Sequence, residues 1–259
     1  MAAVFFSRFP SICWLMPNLY ETRRLLDEYL LFHYGSSQDI LPWPAGPQAA
    51  LHFPVRSVTE LQPEEGRELA RALDIGCAVG RSSFELSKFC QEVTGIDFSH
   101  SFVNAAEEMR TAGPLSYQVT EEGRFTSTRT AALPDGAHPG RVRFLQGDAM
   151  NLPDDLGTFD LVHAANLVCR LTEPRRFLDR LPALVKPGGF LLLTTPCTWL
   201  EEFTPLENMP AVRTFDWLQH LLSPAFTLRR RVDLPFLIRE HARKFQWSVA
   251  LGTLWERRV

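Results

Sequence analysis

The sequence predicts an α/β protein with a doubly wound, mostly parallel sheet, and three features of the chain support this prediction. Apolar, strand-like segments alternate with helical segments between residues 72 and 194. The first of these strands runs into a turn with the sequence Asp74-Ile75-Gly76-Cys77-Ala78-Val79-Gly80. Acidic residues lie at or just after the ends of the first three strands. Because such strands are joined by right-handed crossovers, these ends meet at one edge of the sheet.

Composition narrows the class of protein. The chain has 45% hydrophobic and 22% charged residues, which is ordinary for a globular domain. A net charge of −3 gives no electrostatic case for nucleic acid binding, and no apolar run reaches the ~18–20 residues of a membrane helix. The five cysteines show no C-x-x-C spacing, so they indicate neither a metal site nor a disulfide framework, and they fit a reducing cytosol. We therefore expect a cytoplasmic protein that binds no nucleic acid, membrane or metal; the loops discussed below add the expectation of a small-molecule substrate.

The chain is expected to form one domain over residues 18–259, preceded by a poorly defined extension over residues 1–17. The extension is apolar, but Arg8 and Pro10 interrupt it and no small-x-small cleavage site follows, which argues against a signal peptide. Helical spacing of apolar residues predicts a helix from Asn18 to Tyr34.

The remaining elements follow from the periodicity of apolar residues. A short helix is expected over Glu64–Arg71, and two strands, Val232–Glu240 and Lys244–Glu256, are expected to complete a seven-stranded sheet, one of them antiparallel. Residues 111–141 are too long for a plain connection, and their alternating pattern around Gly123 predicts an inserted β-hairpin outside the catalytic centre. The other predicted elements are strands 72–75, 92–96, 143–146, 159–164 and 189–194 and helices 81–89, 100–110 and 174–184.

The glycine turn after the first strand is the first candidate for ligand binding. Gly76 allows the backbone to approach a ligand closely, Gly80 permits tight packing at the start of the next helix, and amides around Cys77 are available as donors. The turn lacks the third glycine of the dinucleotide fingerprint, and Asp74 would repel a pyrophosphate. An acid here suits a ligand with a cationic amino-acid head and a ribose, namely S-adenosylmethionine (SAM). A turn that binds nothing is the alternative.

Acids after the second and third strands extend this candidate site. Asp97, followed by Phe98, ends the second strand, where a carboxylate can accept two hydrogen bonds from a ribose diol. Asp148 follows the third strand, where its carboxylate can accept from an adenine amino group while the amide of Ala149 donates to the ring. Either acid could instead cap the following helix. The coincidence of three acids after three successive strands is more specific than any one of them.

Two loops at the same edge are candidates for the acceptor side. The loop after the fourth strand carries Asn166, which offers hydrogen-bond donors and an acceptor, and Arg170, which could meet a substrate anion. The loop after the fifth strand carries Trp199 and Glu202, which suit a small cationic or zwitterionic substrate. The alternatives are a surface position for Arg170 and a plain amphipathic helix start at Trp199. His163, within the fourth strand, is expected to be a hydrogen-bonded core residue.

The glycine turn and the three acids resemble class I SAM-dependent methyltransferases, and further segments narrow the likeness. The chain resembles the 4-mercaptohistidine N-methyltransferase family from about Asn18 to Arg258. The segments that carry this resemblance are Tyr20-Glu21, Glu28-Tyr29-Leu30-Leu31-Phe32-His33-Tyr34-Gly35, 74–86, 95–100 and 198–205.

The resemblance implies a class I, Rossmann-like fold, SAM as cofactor, and methyl transfer to the imidazole π-nitrogen of 4-mercaptohistidine (also called 5-thiohistidine), which gives ovothiol. It also implies a functional partner, a 5-histidylcysteine sulfoxide synthase, with this chain as the stand-alone form or an excised domain. A neutral imidazole nitrogen has an available lone pair, so alignment can supply up to roughly 7–11 kcal/mol of the barrier and a strong base is not required.

The N-terminal helix is expected to cover the donor and to form part of the substrate pocket. Tyr20 and Tyr29 would form an aromatic wall for the imidazole, while His33 or Tyr34 would hold its tautomer. Positions 29 and 33 share a helix face, so simple packing of this face onto the sheet is the alternative. Two other functions stay open: a SAM-dependent methyltransferase with another small-molecule acceptor, and a non-catalytic partner protein with the same fold.

Overall fold

The computed structural model describes residues 19–63 and 69–259. The strands in these ranges are β1 (Leu69–Ile75), β2 (Cys90–Asp97), β3 (Leu115–Glu122), β4 (Phe125–Ala131), β5 (Val142–Gln146), β6 (Phe159–Ala165), β7 (Val185–Thr195), β8 (Phe226–His241) and β9 (Lys244–Arg257). The helices are α1 (Arg23–Tyr34), α2 (Ser37–Ile40), α3 (Phe53–Thr59), α4 (Arg81–Leu86), α5 (His100–Ala112), α6 (Pro174–Leu184) and α7 (Thr214–Leu222).

A seven-stranded sheet forms the centre of the molecule, in the order β5-β2-β1-β6-β7-β9-β8. Its first five strands run parallel, β9 is antiparallel to β7, and β8 is antiparallel to β9. The prediction of a mostly parallel, seven-stranded sheet is therefore confirmed. From β1 the chain continues to β2 and β5 at one edge of the sheet, whereas β6 and β7 lie on the other side of β1. The strand order therefore reverses between β1 and β6, and ligands bind at the carboxyl ends of the strands that flank such a reversal.

Two apolar cores cover the faces of the sheet, because successive side chains of a strand point to opposite sides. Leu73 and Ile75 of β1 contact one core, which includes Phe177 of α6. Ala72 contacts the other core, which includes Phe84 of α4 and residues of α1, α3 and α5. Burial on both faces explains why β1 is almost continuously apolar rather than alternating.

The N-terminal helix is shorter than predicted and is preceded by a 3-10 turn. The turn spans Leu19–Glu21, and α1 begins after Thr22, whose hydroxyl accepts a hydrogen bond from the amide of Leu25 at 3.3 Å. Threonine at this position is a helix N-cap, which explains the break. Glu21 accepts hydrogen bonds from the first amides of α5, so the turn is fastened beside the end of β2.

The predicted insertion is an antiparallel β3–β4 hairpin with Gly123 at φ +55°. Tyr117 and Val119 are buried against the main core, and the amide of Ala242 donates to the carbonyl oxygen of Glu121 at 3.1 Å. The hairpin therefore packs against α1 and β8 rather than extending into solvent.

Two predicted segments fall wholly or partly outside the described residues. The extension over residues 1–17 and most of the helix predicted over Glu64–Arg71 lie outside the described residues. Residues 69–71 belong to β1, so that part of the helix prediction is wrong: Leu69 pairs with Cys90 of β2. Within the described residues, none of the helices has the length and apolarity needed to span a membrane.

Candidate active site

A cavity of about 380 Å³ lies at the carboxyl ends of β1, β2, β5 and β6, beneath α1 and α3. One side is formed by the glycine turn and by the residues that follow β2 and β5. The opposite side is formed by α1, α3, the loop after β6 and part of β8. No described residue of the 111–141 insertion lines it.

The glycine turn presents backbone to the cavity. The amides of Gly76 and Cys77 donate to the carbonyl oxygen of Ile96 at 2.8 and 3.1 Å, which binds the turn to the end of β2. Cys77 therefore lines the cavity, but its amide is not the available donor that the sequence predicted. Gly76 has φ +74°, and a Cβ there would lie 3.2 Å from a methyl group of Leu167. Ala78 has φ +47°, a left-handed conformation that costs a non-glycine residue about 1–2 kcal/mol. The turn is therefore held in a strained but well-anchored shape.

Asp97 is the acid with the clearest capacity for a ligand. Its Oδ2 accepts from the amide of Ala78 at 2.8 Å, and its Oδ1 accepts from the amide of Ser99 at 2.9 Å. Each carboxylate oxygen keeps a second lone pair, so both can still accept from a diol. Burial, with smaller contributions from the charges of Asp74 and Glu21, raises the pKa of Asp97 to about 6 against the opposing effect of the two amides.

Asp148, Ala149 and Phe98 lie at the outer part of the same side. Oδ1 of Asp148 accepts from the amide of Met150 at 2.9 Å, so this acid is a helix cap as well as a lining residue. Ala149 is buried, and Phe98 is 57% exposed at the rim. An exposed aromatic ring beside a capped acid can cover a flat base such as adenine.

Two residues predicted to bind the cofactor do not line the cavity. Oδ1 of Asp74 lies 2.7 Å from Nδ1 of His163, and Oδ2 accepts from the hydroxyl of Ser83 at 2.6 Å. Both oxygens of Asp74 thus have buried protein partners, and the residue supports the glycine turn without facing the cavity. Gly80 begins α4 at φ +85°, where a Cβ would lie 2.6 Å from the ring of Phe144, so its place is explained by packing.

The opposite side of the cavity is aromatic. The ring centroids of Tyr29 and Phe102 are 4.7 Å apart, and those of Phe53 and Phe236 are 5.0 Å apart. Tyr20 lies at 5.9 Å from Phe102. Sequence reasoning missed Phe53 of α3 and Phe236 of β8. The alternation of apolar residues along β8 predicts that one face is buried, but no local pattern reveals that this face reaches the cavity.

His33 brings an uncharged ring to this aromatic side, stacked on Tyr29 at 5.8 Å. Burial, together with the charge of Arg81, lowers the pKa of His33 to about 3, so the ring is neutral at physiological pH. Among the described residues, its Nδ1 has no hydrogen-bond partner. Tyr34 is placed differently: it does not line the cavity, and its hydroxyl donates to the carbonyl oxygen of Val79 at 2.7 Å.

The loop after β6 completes the side of the cavity opposite the glycine turn. Asn166 has φ +54°, and its Oδ1 accepts from the hydroxyl of Thr194 at 3.0 Å, which ties the loop to β7. Arg170 donates to the carbonyl oxygen of Thr198 at 3.0 Å. Burial raises the pKa of Tyr20, and Arg170 opposes this through its charge and a hydrogen bond. The 3-10 turn before α1 and the β6 loop therefore meet across the cavity.

Trp199 and Glu202, from the loop after β7, are not brought to the cavity. The indole nitrogen of Trp199 donates to the hydroxyl of Thr214 at 2.9 Å, and its ring packs edge-on against Trp217 at 5.8 Å. Glu202 is exposed on a turn. The loop turns toward α7, because the second apolar core takes up its tryptophan. A substrate-binding place for these two residues is thus not supported by the geometry.

Comparisons with known proteins agree with this architecture. Residues 73–193 match a family model described as a methyltransferase domain. A ubiquinone biosynthesis O-methyltransferase of Coxiella burnetii is 26% identical over 154 residues, which cover 59% of this chain and 55% of that protein. The chain thus spans about half the length of the curated relatives it matches.

Two solved structures share the fold. The N-methyltransferase NodS of Bradyrhizobium japonicum, in complex with S-adenosyl-L-homocysteine, has a TM-score of 0.54 at 16% identity and covers 92% of this chain and 98% of its own. The [4+2]-cyclase SpnF has a TM-score of 0.51 at 18% identity and covers 79% of this chain and 78% of its own. Because the second of these is named a cyclase, the fold alone does not fix the reaction.

The residues present fit the cofactor predicted from the sequence. The cavity joins an open backbone turn, a carboxylate with two free lone pairs and a second acid, each at the end of a successive parallel strand. These features and the comparisons support SAM as the cofactor. The chain has the class I, Rossmann-like methyltransferase fold, with a methyltransferase domain matched over residues 73–193.

Proposed function

We propose that the protein is a SAM-dependent methyltransferase that methylates the imidazole π-nitrogen of 4-mercaptohistidine. The observation that carries the proposal is one cavity in which the Asp97–Asp148 side faces an aromatic wall containing a neutral histidine and an arginine. SAM supplies, when bound, a methyl group activated by its sulfonium. The residues of the chain bind, align and exclude water.

The donor side is assigned by its acids. Asp97 would accept from the ribose hydroxyls, and Asp148 would accept from the adenine amino group, beside the exposed ring of Phe98. Both acids are already oriented by backbone amides, so little side-chain freedom is lost on binding.

The acceptor side favours a planar molecule that needs no deprotonation. A hydroxyl acceptor requires a base whose pKa lies near the working pH, and a ring with a pKa of about 3 is a weak base. A neutral imidazole already carries the lone pair that attacks. The other ring nitrogen of the acceptor could form a hydrogen bond with Nδ1 of His33. Arg170 could bind the carboxylate or the thiolate of the same amino acid.

A phenolic hydroxyl is the second candidate acceptor. It is favoured by the names of the curated relatives, which include a ubiquinone biosynthesis O-methyltransferase. The same aromatic wall would stack on a phenol ring. The two acceptors therefore differ in the demand for a base rather than in shape.

The decisive experiment offers the protein SAM and a panel of acceptors, with mass spectrometry to detect a gain of one methyl group. We expect methylation of 4-mercaptohistidine at the ring nitrogen and none of plain histidine or catechol. The matched pair of variants is Asp97→Asn, which should abolish turnover at low SAM, and Glu202→Gln, which should retain it. Methylation confined to a phenol would contradict the N-methyl assignment, and SAM binding without any turnover would indicate a partner protein.

A further inference from the structure

A buried series of polar side chains runs beneath the cavity from the donor turn to α3. Asp74, His163 and Ser57 are each at most 1% exposed. Nδ1 of His163 lies 2.7 Å from Oδ1 of Asp74, and its Nε2 lies 3.1 Å from the hydroxyl oxygen of Ser57. The imidazole therefore bridges β1 to α3.

The orientation of the imidazole follows from its carboxylate partner and from the strand register. Oδ2 of Asp74 accepts from the hydroxyl of Ser83, which leaves Oδ1 to accept from the ring. Because a carboxylate accepts and does not donate, Nδ1 of His163 carries a hydrogen and the ring is held in one rotation. Asp74 and His163 are also paired in register between β1 and β6, so the backbone places them together.

The two ends of the bridge lie under opposite sides of the cavity. Asp74 is followed at once by residues 75–77, which line the donor side. Ser57 lies one turn of α3 after Phe53 and Pro54, which line the acceptor side. The hydroxyl oxygen of Ser57 also lies 3.1 Å from the carbonyl oxygen of Pro54, so its single hydrogen is shared between this carbonyl and Nε2 of His163.

Packing alone does not account for this arrangement. An unsatisfied buried polar atom costs about 1–3 kcal/mol, so each hydrogen bond in such a bridge has to be made. Apolar residues of similar volume often replace buried polar networks without loss of stability. His163 also contacts the cavity itself, between the two sides that it connects.

We propose that His163 is a positioning residue, which holds the acceptor wall of α3 at a set distance from the donor turn through Ser57 and Asp74. The inference rests on the proposed function, because it assigns α3 to the acceptor. Methyl transfer needs the attacking atom and the methyl group in line and close, so a small outward shift of α3 would weaken productive acceptor binding.

The test compares two buried serines that contact opposite ends of the bridge. Ser57→Ala removes the link to α3, whereas Ser83→Ala removes the other hydrogen bond of Asp74 and leaves the link intact. We expect Ser57→Ala to raise the acceptor KM about fivefold, the value of one net hydrogen bond, with an unchanged Kd for SAM. We expect no change in acceptor KM for Ser83→Ala. His163→Asn, which keeps a donor toward Asp74, should behave like Ser57→Ala.

Hydrogen exchange over residues 53–59 gives a second readout that needs no turnover. SAM should slow exchange there in the unaltered protein and in Ser83→Ala, but not in Ser57→Ala. Equal KM increases for both serine variants, or an exchange response that does not depend on Ser57, would overturn the inference. If the protein bound SAM but methylated nothing, the proposed function would be refuted, and the exchange comparison would still test the role of His163. If the protein did not bind SAM, both the proposed function and the role of His163 would be refuted.

Discussion

The donor side and the acceptor side of the cavity are built in different ways. The donor side comes from residues 75–78, from the last residues of β2 and those that follow it, and from the first residues after β5, each at a strand end. The acceptor side is assembled from α1, α3, the β6 loop and β8, four segments spread between residues 23 and 241 of the chain. A site built at strand ends is encoded locally, whereas an assembled wall depends on tertiary packing.

The largest effect is expected on the donor side. Asp97→Ala should weaken SAM binding by about 1.5–3 kcal/mol, because it removes a charged acceptor of two hydrogen bonds. Titration calorimetry would measure this, with the exposed Asp233→Ala on β8 as control. An unchanged Kd for SAM would remove Asp97 from the site and break the assignment of this side.

The pH dependence of SAM binding sharpens the same assignment. Since the unliganded pKa of Asp97 is about 6 and the ribose requires the ionised form, affinity should fall about tenfold between pH 7 and pH 5. Between about pH 4 and 6, the folded state binds the proton and the unfolded state does not, so Asp97 also makes the free energy of unfolding fall as pH rises. Asp97→Asn should bind weakly at every pH and lose both slopes. A flat profile for the unaltered protein would contradict the raised pKa.

On the acceptor side, His33→Phe and Glu202→Gln should have different effects on the acceptor KM. The phenylalanine keeps the stack on Tyr29 but removes the ring nitrogens, so the acceptor KM should rise about fivefold to tenfold while the Kd for SAM stays constant. Glu202→Gln should change neither constant, because Glu202 is exposed and distant from the cavity lining. If the glutamine variant raised KM instead, the loop after β7 would have to fold back over the acceptor.

The smallest expected effect concerns the strained turn. Ala78→Gly should raise the free energy of unfolding by about 0.5–1 kcal/mol, since relief of about 1–2 kcal/mol of backbone strain exceeds the added entropy of the unfolded chain. Ala105→Gly in α5 is the matched control, because both alanines are 6% exposed and Ala105 is helical. Thermal denaturation should give opposite signs for the two. A loss of stability in both variants would show that Ala78 carries no strain.

Local patterns predicted the parts of the molecule that depend on local rules. Strand periodicity and the spacing from Gly80 to Asp97 placed β1, β2 and the donor acids, because each acid follows its own strand. The hairpin around Gly123 was likewise recognisable from its alternation and turn residue.

Residues whose position depends on distant partners were harder to assign. Asp74 resembled a ligand-binding acid, yet its oxygens accept from His163 and Ser83, which are 89 and 9 residues away in the chain. Trp199 resembled a pocket residue, but α7 offers it a hydroxyl partner and an apolar core. Phe236 gave no signal at all, because only the long β8–β9 hairpin brings it to α3.

Glu21 has a kinetic consequence. Its carboxylate accepts from the amides of His100 and Ser101 at the start of α5, and although burial opposes it, the hydrogen bonds from Ser101 and His100 keep its pKa low. This clasp fastens the segment that carries Tyr20, a residue that lines the cavity. We expect departure of the spent cofactor to wait for the clasp to open. Salt screens the attraction between the exposed Glu21 carboxylate and the first amides of α5. We therefore expect product release to become faster as ionic strength rises, and turnover to become faster as well where product release limits it.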